Sequence, residues 1–316
     1  MRKVFRISRE AQDSSPVHLV HISDGVHVGR GECGELHHYG ESRQSISMAL
    51  DAMGLQLNDH ATPELLNAAF PAGSARNAVD CALWDLACKR EGRSIWELTG
   101  VAHQGELDID FTIGIDDVPS MCRSAVELAA SGYRELKIKV HAESVLQTLD
   151  AIAQAAPGVR LLVDANEAWS LEQLKALVGP LSDLGVAMIE QPLHRRDDHQ
   201  LEGFDSPIPL YADESCATSA DLERLGRRYD GINIKLDKCG GLTEALKMVR
   251  GARAGGMNVM IGCAGATSLG LAPAYVIGTL CNFRDLDSAG LHFDDRSSGM
   301  VYARGQIGCF TPTLWG

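Results

Sequence analysis

The chain of 316 residues is long enough for one large domain or two modest ones, and at 45% hydrophobic residues it can bury a substantial core. Its formal net charge of -13 argues against nucleic acid or an anionic membrane as partner. No stretch approaches the ~18 consecutive apolar residues of a spanning helix. The opening MRKVFRISRE lacks the apolar core of a signal peptide, and nine scattered cysteines without a C-x-x-C pair imply a reducing compartment. The expectation is a cytoplasmic protein.

The first hundred residues read as a mixed α+β segment. VHLVHISDGVHVGRGEC, residues 17–33, has the pattern of two strands around an Asp-Gly turn. The same stretch contains GRGECG, which fits G-x-G-x-x-G at Gly29, Gly31 and Gly34. A dinucleotide site needs a helix directly after that motif. ELHHYGES follows instead, without an apolar helical stripe, so a glycine-rich loop is expected. PAGSARNAVDCALWDLACKREG, residues 71–92, predicts a strong helix with Ala78, Cys81, Ala82, Leu83, Leu86 and Ala87 along one side. These elements suggest a capping domain over residues 1–105, with a boundary near 103–108. The stretch from Leu291 to residue 316 has no clear βα unit and is expected to return to the cap.

Residues 106–290 have a different rhythm. Strand-length apolar runs recur as DIDFTIGI, ELKIKV, VRLLVDAN, GVAMIEQP, PIPLYADE, GINIKL, MNVMIGC and NFRDLD. Helical patterns such as MCRSAVELAASG and LTEALKMVRGARAGG separate most of them. Repeated βα units imply right-handed crossovers and a parallel sheet, and eight strands imply a closed barrel. Helices outside and layered side chains inside explain why the strands are almost continuously apolar.

The last charged residues of consecutive strands are Lys139, Asp164, Glu190, Asp213 and Lys235, each separated by about one βα unit. All five are expected at one height at the C-terminal mouth, where barrels of this kind carry their active sites. Three close carboxylates do not all stay ionised without a cation. All-oxygen ligands on rigid strands suit Mg²⁺ better than Zn²⁺. Asn166 is a further candidate for the ligand shell. Lys139 on the second strand and Lys235 on the sixth face each other across that cation. One can remove the α-proton of a bound carboxylate substrate and the other return a proton to the opposite face. Lys137, on the same strand face as Lys139, is expected to lower its neighbour's pKa and to meet the substrate carboxylate.

KIKV, VDAN, IEQP, ADES and NIKLDKCGG together resemble the muconate-lactonizing subgroup of the enolase superfamily, and PAGSARNAVDCALWDLACKR extends the resemblance into the cap. The resemblance implies a (β/α)7β TIM-like barrel with an N-terminal α+β capping domain. It also implies one Mg²⁺ held by Asp164, Glu190 and Asp213, with Lys139 and Lys235 as the acid/base pair acting through a metal-stabilised enediolate. Asn166 and Glu214 are candidates for the metal shell, and Thr112 and Cys263 for substrate contacts. RDLDSA places Asp285 and Asp287 on one face at the end of the eighth strand. This resembles the motif by which dipeptide epimerases hold a substrate α-ammonium, and two inward carboxylates do call for a cation.

The implied activity is inversion of the C-terminal residue of a dipeptide such as L-Ala-D/L-Glu. In one respect the chain departs from that pattern. Aligning FRISREAQDSSP on the family's F-x-I-x-R-G stretch puts Gln12 where an arginine would pair with the glutamate side chain, and Glu10 where glycine is usual. Arg30, His37 and His38 lie in or near the same lid region and are candidates to substitute. A homo-oligomer is compatible with the sequence. The alternatives are other reactions of the subgroup (N-acylamino acid racemisation, o-succinylbenzoate synthesis, cycloisomerisation), an aldolase-like Schiff base on Lys235, and a non-catalytic binding protein, which would not need the lysines.

Overall fold

A computed structural model describes residues 16–58, 60–140, 143–291 and 295–316, together with the backbone of two short paired strands, Phe5–Arg6 and Ala11–Gln12. Eight strands follow in strict sequential order in one parallel sheet: Phe111–Ile113, Glu135–Lys139, Arg160–Asp164, Met188–Glu190, Leu210–Ala212, Gly231–Ile234, Asn258–Ile261 and Phe283–Arg284. We call them barrel strands one to eight. The N–H of Asp110, just before strand one, donates to the carbonyl of Arg284 on strand eight at 3.0 Å, so the two ends of the sheet meet. The crossover helices Leu171–Asp183 and Ser268–Gly278 open on hydroxyl caps, Ser170 and Thr267. Ser170 accepts from the N–H of Gln173, whose side chain accepts in return from the N–H of Ser170.

Period-two alternation layers the interior. Leu162, Met188, Tyr211, Met260 and Phe283 form one buried cluster. Two residues further along the third, fourth, fifth and eighth strands come Asp164, Glu190, Asp213 and Asp285. The same inward face that fills the barrel floor with apolar atoms therefore carries charge at its rim.

In the cap, Val17–Ser23 and Val28–Gly34 pair as an antiparallel hairpin. The glycines of GRGECG lie in its second strand, not in a loop. The reason is close packing against the helix Ser74–Glu91. A Cβ on Gly31 would stand 1.9 Å from the carbonyl oxygen of Ala78, and one on Gly29 2.1 Å from that of Ala82. Small residues there let strand and helix backbones approach.

The C-terminal segment divides. Tyr302–Ala303 and Gln306–Gly308 form a hairpin on Glu106–Asp108, just before strand one. The last residues lie on the cap helix, where Trp315 Nε1 donates to the Cys81 carbonyl at 3.0 Å and the Gly316 N–H to Asp85 at 2.9 Å.

Candidate active site

Lys139, Asp164 and Glu190 are Cα partners across strands two, three and four, at one height as the spacing suggests. Asp213 is not level with them. Glu190 pairs with Tyr211, two residues earlier, and Tyr211 in turn pairs with Gly231, four before Lys235. Tilted strands in a closed barrel are staggered, so the five residues climb around the rim instead of forming a flat ring.

The charges nevertheless converge, and all are buried or nearly so. Lys139 Nζ donates to Asp164 Oδ2. Lys137 Nζ bridges, 3.2 Å from Glu190 and 3.5 Å from Asp164, and is hydrogen-bonded to Asp285 as well. Lys235 donates to Asp213 Oδ2 at 2.8 Å. Strands two and six lie across the barrel from each other in an eight-strand ring, so the Lys139–Asp164 and Lys235–Asp213 pairs occupy opposite sides.

Burial raises the Asp164 carboxyl, but Lys139 and Lys137 outweigh it and hold the group at about 2. Burial and the neighbouring Asp164 push Glu190 up to about 8. Asp213 is held well below the usual range because Lys235 and Lys238 outweigh its burial. Burial lowers Lys235, yet Asp213 and Glu190 overcome this and hold the amine above the ordinary lysine value. The protein's own charges therefore do not give Lys235 the depressed pKa of a ready base. The carboxylate field must first be neutralised.

Supporting residues absent from the sequence reading complete the cluster. Asn233 donates to Glu190 Oε1 at 2.7 Å. It shares the inward face of strand six with Lys235, so the alternation that singled out Lys137 could have found it. Lys238 donates to Asp213 Oδ1 at 2.5 Å and to its carbonyl at 2.6 Å. Gln191, fully buried, accepts from the N–H groups of Asp213 and Ser215 and donates to Ser215 and Tyr229. Gln191, Asn166 and Glu167 all have positive φ, so strained backbone follows the ends of strands three and four.

Asn166 donates to Glu214 at 3.5 Å beside the triad. Glu214 also groups with His38 and Glu167, with His38 Nε2 3.2 Å from Glu167, which brings the cap over the third strand's loop. At the barrel seam Thr112 donates its N–H to Asp287 at 2.8 Å and its hydroxyl to Asp285 at 3.3 Å. Cys263 joins that acid pair, with ligand atoms of all three within 4.8 Å. Arg30 is turned elsewhere: its guanidinium donates to the Thr313 carbonyl and its N–H to Asp85, both at 2.7 Å. His37 stands 3.7 Å from Glu35. The side chain of Gln12, like Glu10, lies outside the described residues.

A sequential parallel barrel under an α+β cap, with lysines and carboxylates gathered at its C-terminal rim, is the architecture of an enolase-like protein. The chain belongs to that family. Residues 1–100 match the mandelate racemase/muconate lactonizing enzyme N-terminal domain and residues 120–304 the enolase C-terminal domain-like family. It is 39% identical over 96% of its length to the L-Ala-D/L-Glu epimerase of Escherichia coli K12, covering 94% of that protein. It is 42% identical to an N-acetyl-D-glutamate racemase from a Pseudoalteromonas species, over 80% of this chain and 79% of the relative. A solved enolase family member from Agrobacterium tumefaciens with homology to dipeptide epimerases has bound sodium and L-Ala-L-Glu. It is 38% identical and superposes with a TM-score of 0.95, over 99% of this chain and 95% of that one.

Proposed function

We propose that this protein is a Mg²⁺-dependent dipeptide epimerase that inverts the α-carbon of the C-terminal residue of a dipeptide of the L-Ala-X type. The observation that carries the reading is the opposed placement of Lys139–Asp164 and Lys235–Asp213 beside an acid pair, Asp285 and Asp287. Two amines on opposite faces of a bound α-carbon provide both a proton acceptor and a proton donor.

The residues fit a hard divalent cation. Asp164 and Asp213 are paired with lysines, whereas burial and the neighbouring Asp164 push Glu190 up to about 8, so it lacks compensating charge, and the donor set is all oxygen. Asp164, Glu190 and Asp213 would hold the ion, with Asn166 and Glu214 alongside. When bound, it would neutralise the field on Lys235 and stabilise negative charge building on the substrate carboxylate as the α-proton leaves. Lys137, held among Asp164, Glu190 and Asp285, would meet the same carboxylate. Asp285 and Asp287, with Cys263 and Thr112 beside them, are suited to a substrate α-ammonium. Gln12 in place of an arginine makes a side chain other than glutamate a real candidate for X.

The test is ¹H NMR in D₂O with Mg²⁺ and a panel of L-Ala-X dipeptides that includes L-Ala-L-Glu. Loss of the α-proton signal with appearance of the second epimer is expected. A folded, metal-loaded protein that exchanges no member of the panel overturns the reading.

A further inference from the structure

The cap helix Ser74–Glu91 is fastened to the turn that follows Lys235. Arg76 Nε donates to the carbonyl of Gly240 at 3.0 Å and Nη2 to that of Cys239 at 2.5 Å, while Nη1 donates to the carbonyl of Phe70 at 2.8 Å. Asn77 Nδ2 donates to Asp237 at 2.8 Å. One helical turn after Arg76, Asp80 accepts from the N–H of Thr243 at 3.1 Å and from its hydroxyl at 2.6 Å. All three side chains are buried. Gly240 and Gly241 make the approach possible. Both have positive φ, and a Cβ would lie 2.3 Å from Arg76 Nε at the first and 2.4 Å from Asp80 Oδ2 at the second.

The clamped turn leads directly to the lysine. The N–H groups of Lys238 and Cys239 both donate to the carbonyl of Lys235 at 3.0 Å, and Lys238 grips Asp213, the partner of Lys235. Among the described residues, no hydrogen bond from the cap reaches strand two, which carries Lys139. Among the described residues, the cap's buried hydrogen bonds to the barrel thus gather on the turn after Lys235, and its contact nearest Lys139 is the exposed His38 on Glu167 in the loop after Asp164.

We propose that Arg76, Asn77 and Asp80 are positioning residues for Lys235, so that the cap sets proton transfer on one face of the substrate separately from the other. The proposal rests on the two-lysine epimerase reading. A misplacement of about 1 Å at a reacting group costs on the order of 10²-fold in rate. The buried carbonyls of Cys239 and Gly240 lose good partners when the planar fork of Arg76 is replaced by a single ammonium.

The experiment follows α-proton exchange and inversion separately, in D₂O, from each epimer of one dipeptide. It compares wild type with Arg76→Lys, Asp80→Asn and Thr243→Val, each checked for a cooperative thermal transition. Lys139→Ala and Lys235→Ala assign each epimer to its amine. In the folded clamp variants, exchange of the epimer that faces Lys235 should fall at least 10-fold, together with inversion. The other epimer should keep exchanging within about 2-fold, while its inversion slows by the same factor as exchange at Lys235. Equal loss from both epimers, or no loss from either, overturns the proposal. Thr243→Val, which removes a single hydroxyl, decides the matter if Arg76→Lys does not fold. A wild type that exchanges neither epimer removes the epimerase reading and this proposal with it. Symmetric loss in the variants removes this proposal alone.

Discussion

Lys235 meets Asp213 at 2.8 Å on one side of the rim, as Lys139 meets Asp164 on the other. Lys235 is held ionised by Asp213 and Glu190 and becomes a base only when their charge is engaged elsewhere. Removing divalent ions with EDTA should abolish turnover, and Mg²⁺ should restore it. Because the ion binds only the folded carboxylate set, Mg²⁺ at 100 times its Kd should add about 2.7 kcal/mol of stability. Differential scanning calorimetry with and without Mg²⁺ checks this, and an unchanged Tm at saturating Mg²⁺ would argue against a site at the rim.

Lys139→Ala and Lys235→Ala should each stop inversion, lowering kcat by roughly 10²- to 10⁴-fold or more, the range typical of general acid–base groups. Each single variant should still exchange the α-proton of one epimer. Full inversion by either would show that a single amine serves both faces.

Asp285→Asn separates the dipeptide reading from the N-acyl alternative suggested by the Pseudoalteromonas relative. Charge-assisted hydrogen bonds contribute about 1.5–3 kcal/mol, so kcat/KM for dipeptides should fall roughly 10- to 100-fold. Amino acids whose nitrogen is acylated carry no ammonium, so their kcat/KM should fall by a smaller factor, set only by the loss of Asp285's charge beside Lys137 and of its seam contact with Thr112. Parallel steady-state assays on both substrate classes decide.

Asp237 is pushed by burial to about 7, although Asn77 donates to it. A carboxyl with a folded pKa above its unfolded value of about 3.9 binds its proton more tightly when folded. Its contribution is then complete below pH 4 and is lost as pH rises toward 7. At about 1.4 kcal/mol for each pH unit, the loss is roughly 4 kcal/mol. Urea denaturation between pH 4 and 8 should show this decline, and Asp237→Asn should flatten it. An equal decline in the variant assigns the effect to another group.

Gly31→Ala should destabilise the cap by about 1–3 kcal/mol or more, because its methyl would stand 1.9 Å from the Ala78 carbonyl. A wild-type midpoint in chemical denaturation would show that the hairpin can move away from the helix freely.

The barrel was legible because its strands repeat one rule, an inward apolar residue followed two places later by a charge. Asp164, Glu190 and Asp213 follow it, while Lys139 follows another lysine, Lys137; all four stand out in the sequence as the last charges of consecutive strands, about one βα unit apart. Their climb around the rim was not legible, since stagger is a property of closure and not of any one strand. Asn233 obeys the alternation rule and was passed over because it is uncharged. Lys238 breaks the rule, reaching Asp213 from the turn Leu236–Cys239 after the strand. GRGECG reads as a loop because Gly29 and Gly31 answer to a helix some fifty residues downstream, a contact that no local pattern encodes.

The grip of Thr112 on both Asp285 and Asp287 falls where the first and eighth strands meet, beside the bond from Asp110 to Arg284. The acids suited to a guest's positive end thus also button the cylinder shut. A descendant that exchanged them for neutral side chains, to admit an uncharged guest, would loosen its own wall in doing so. Drift toward new ligands is under mechanical restraint at this seam, and a compensating fastening between the two strands has to come first.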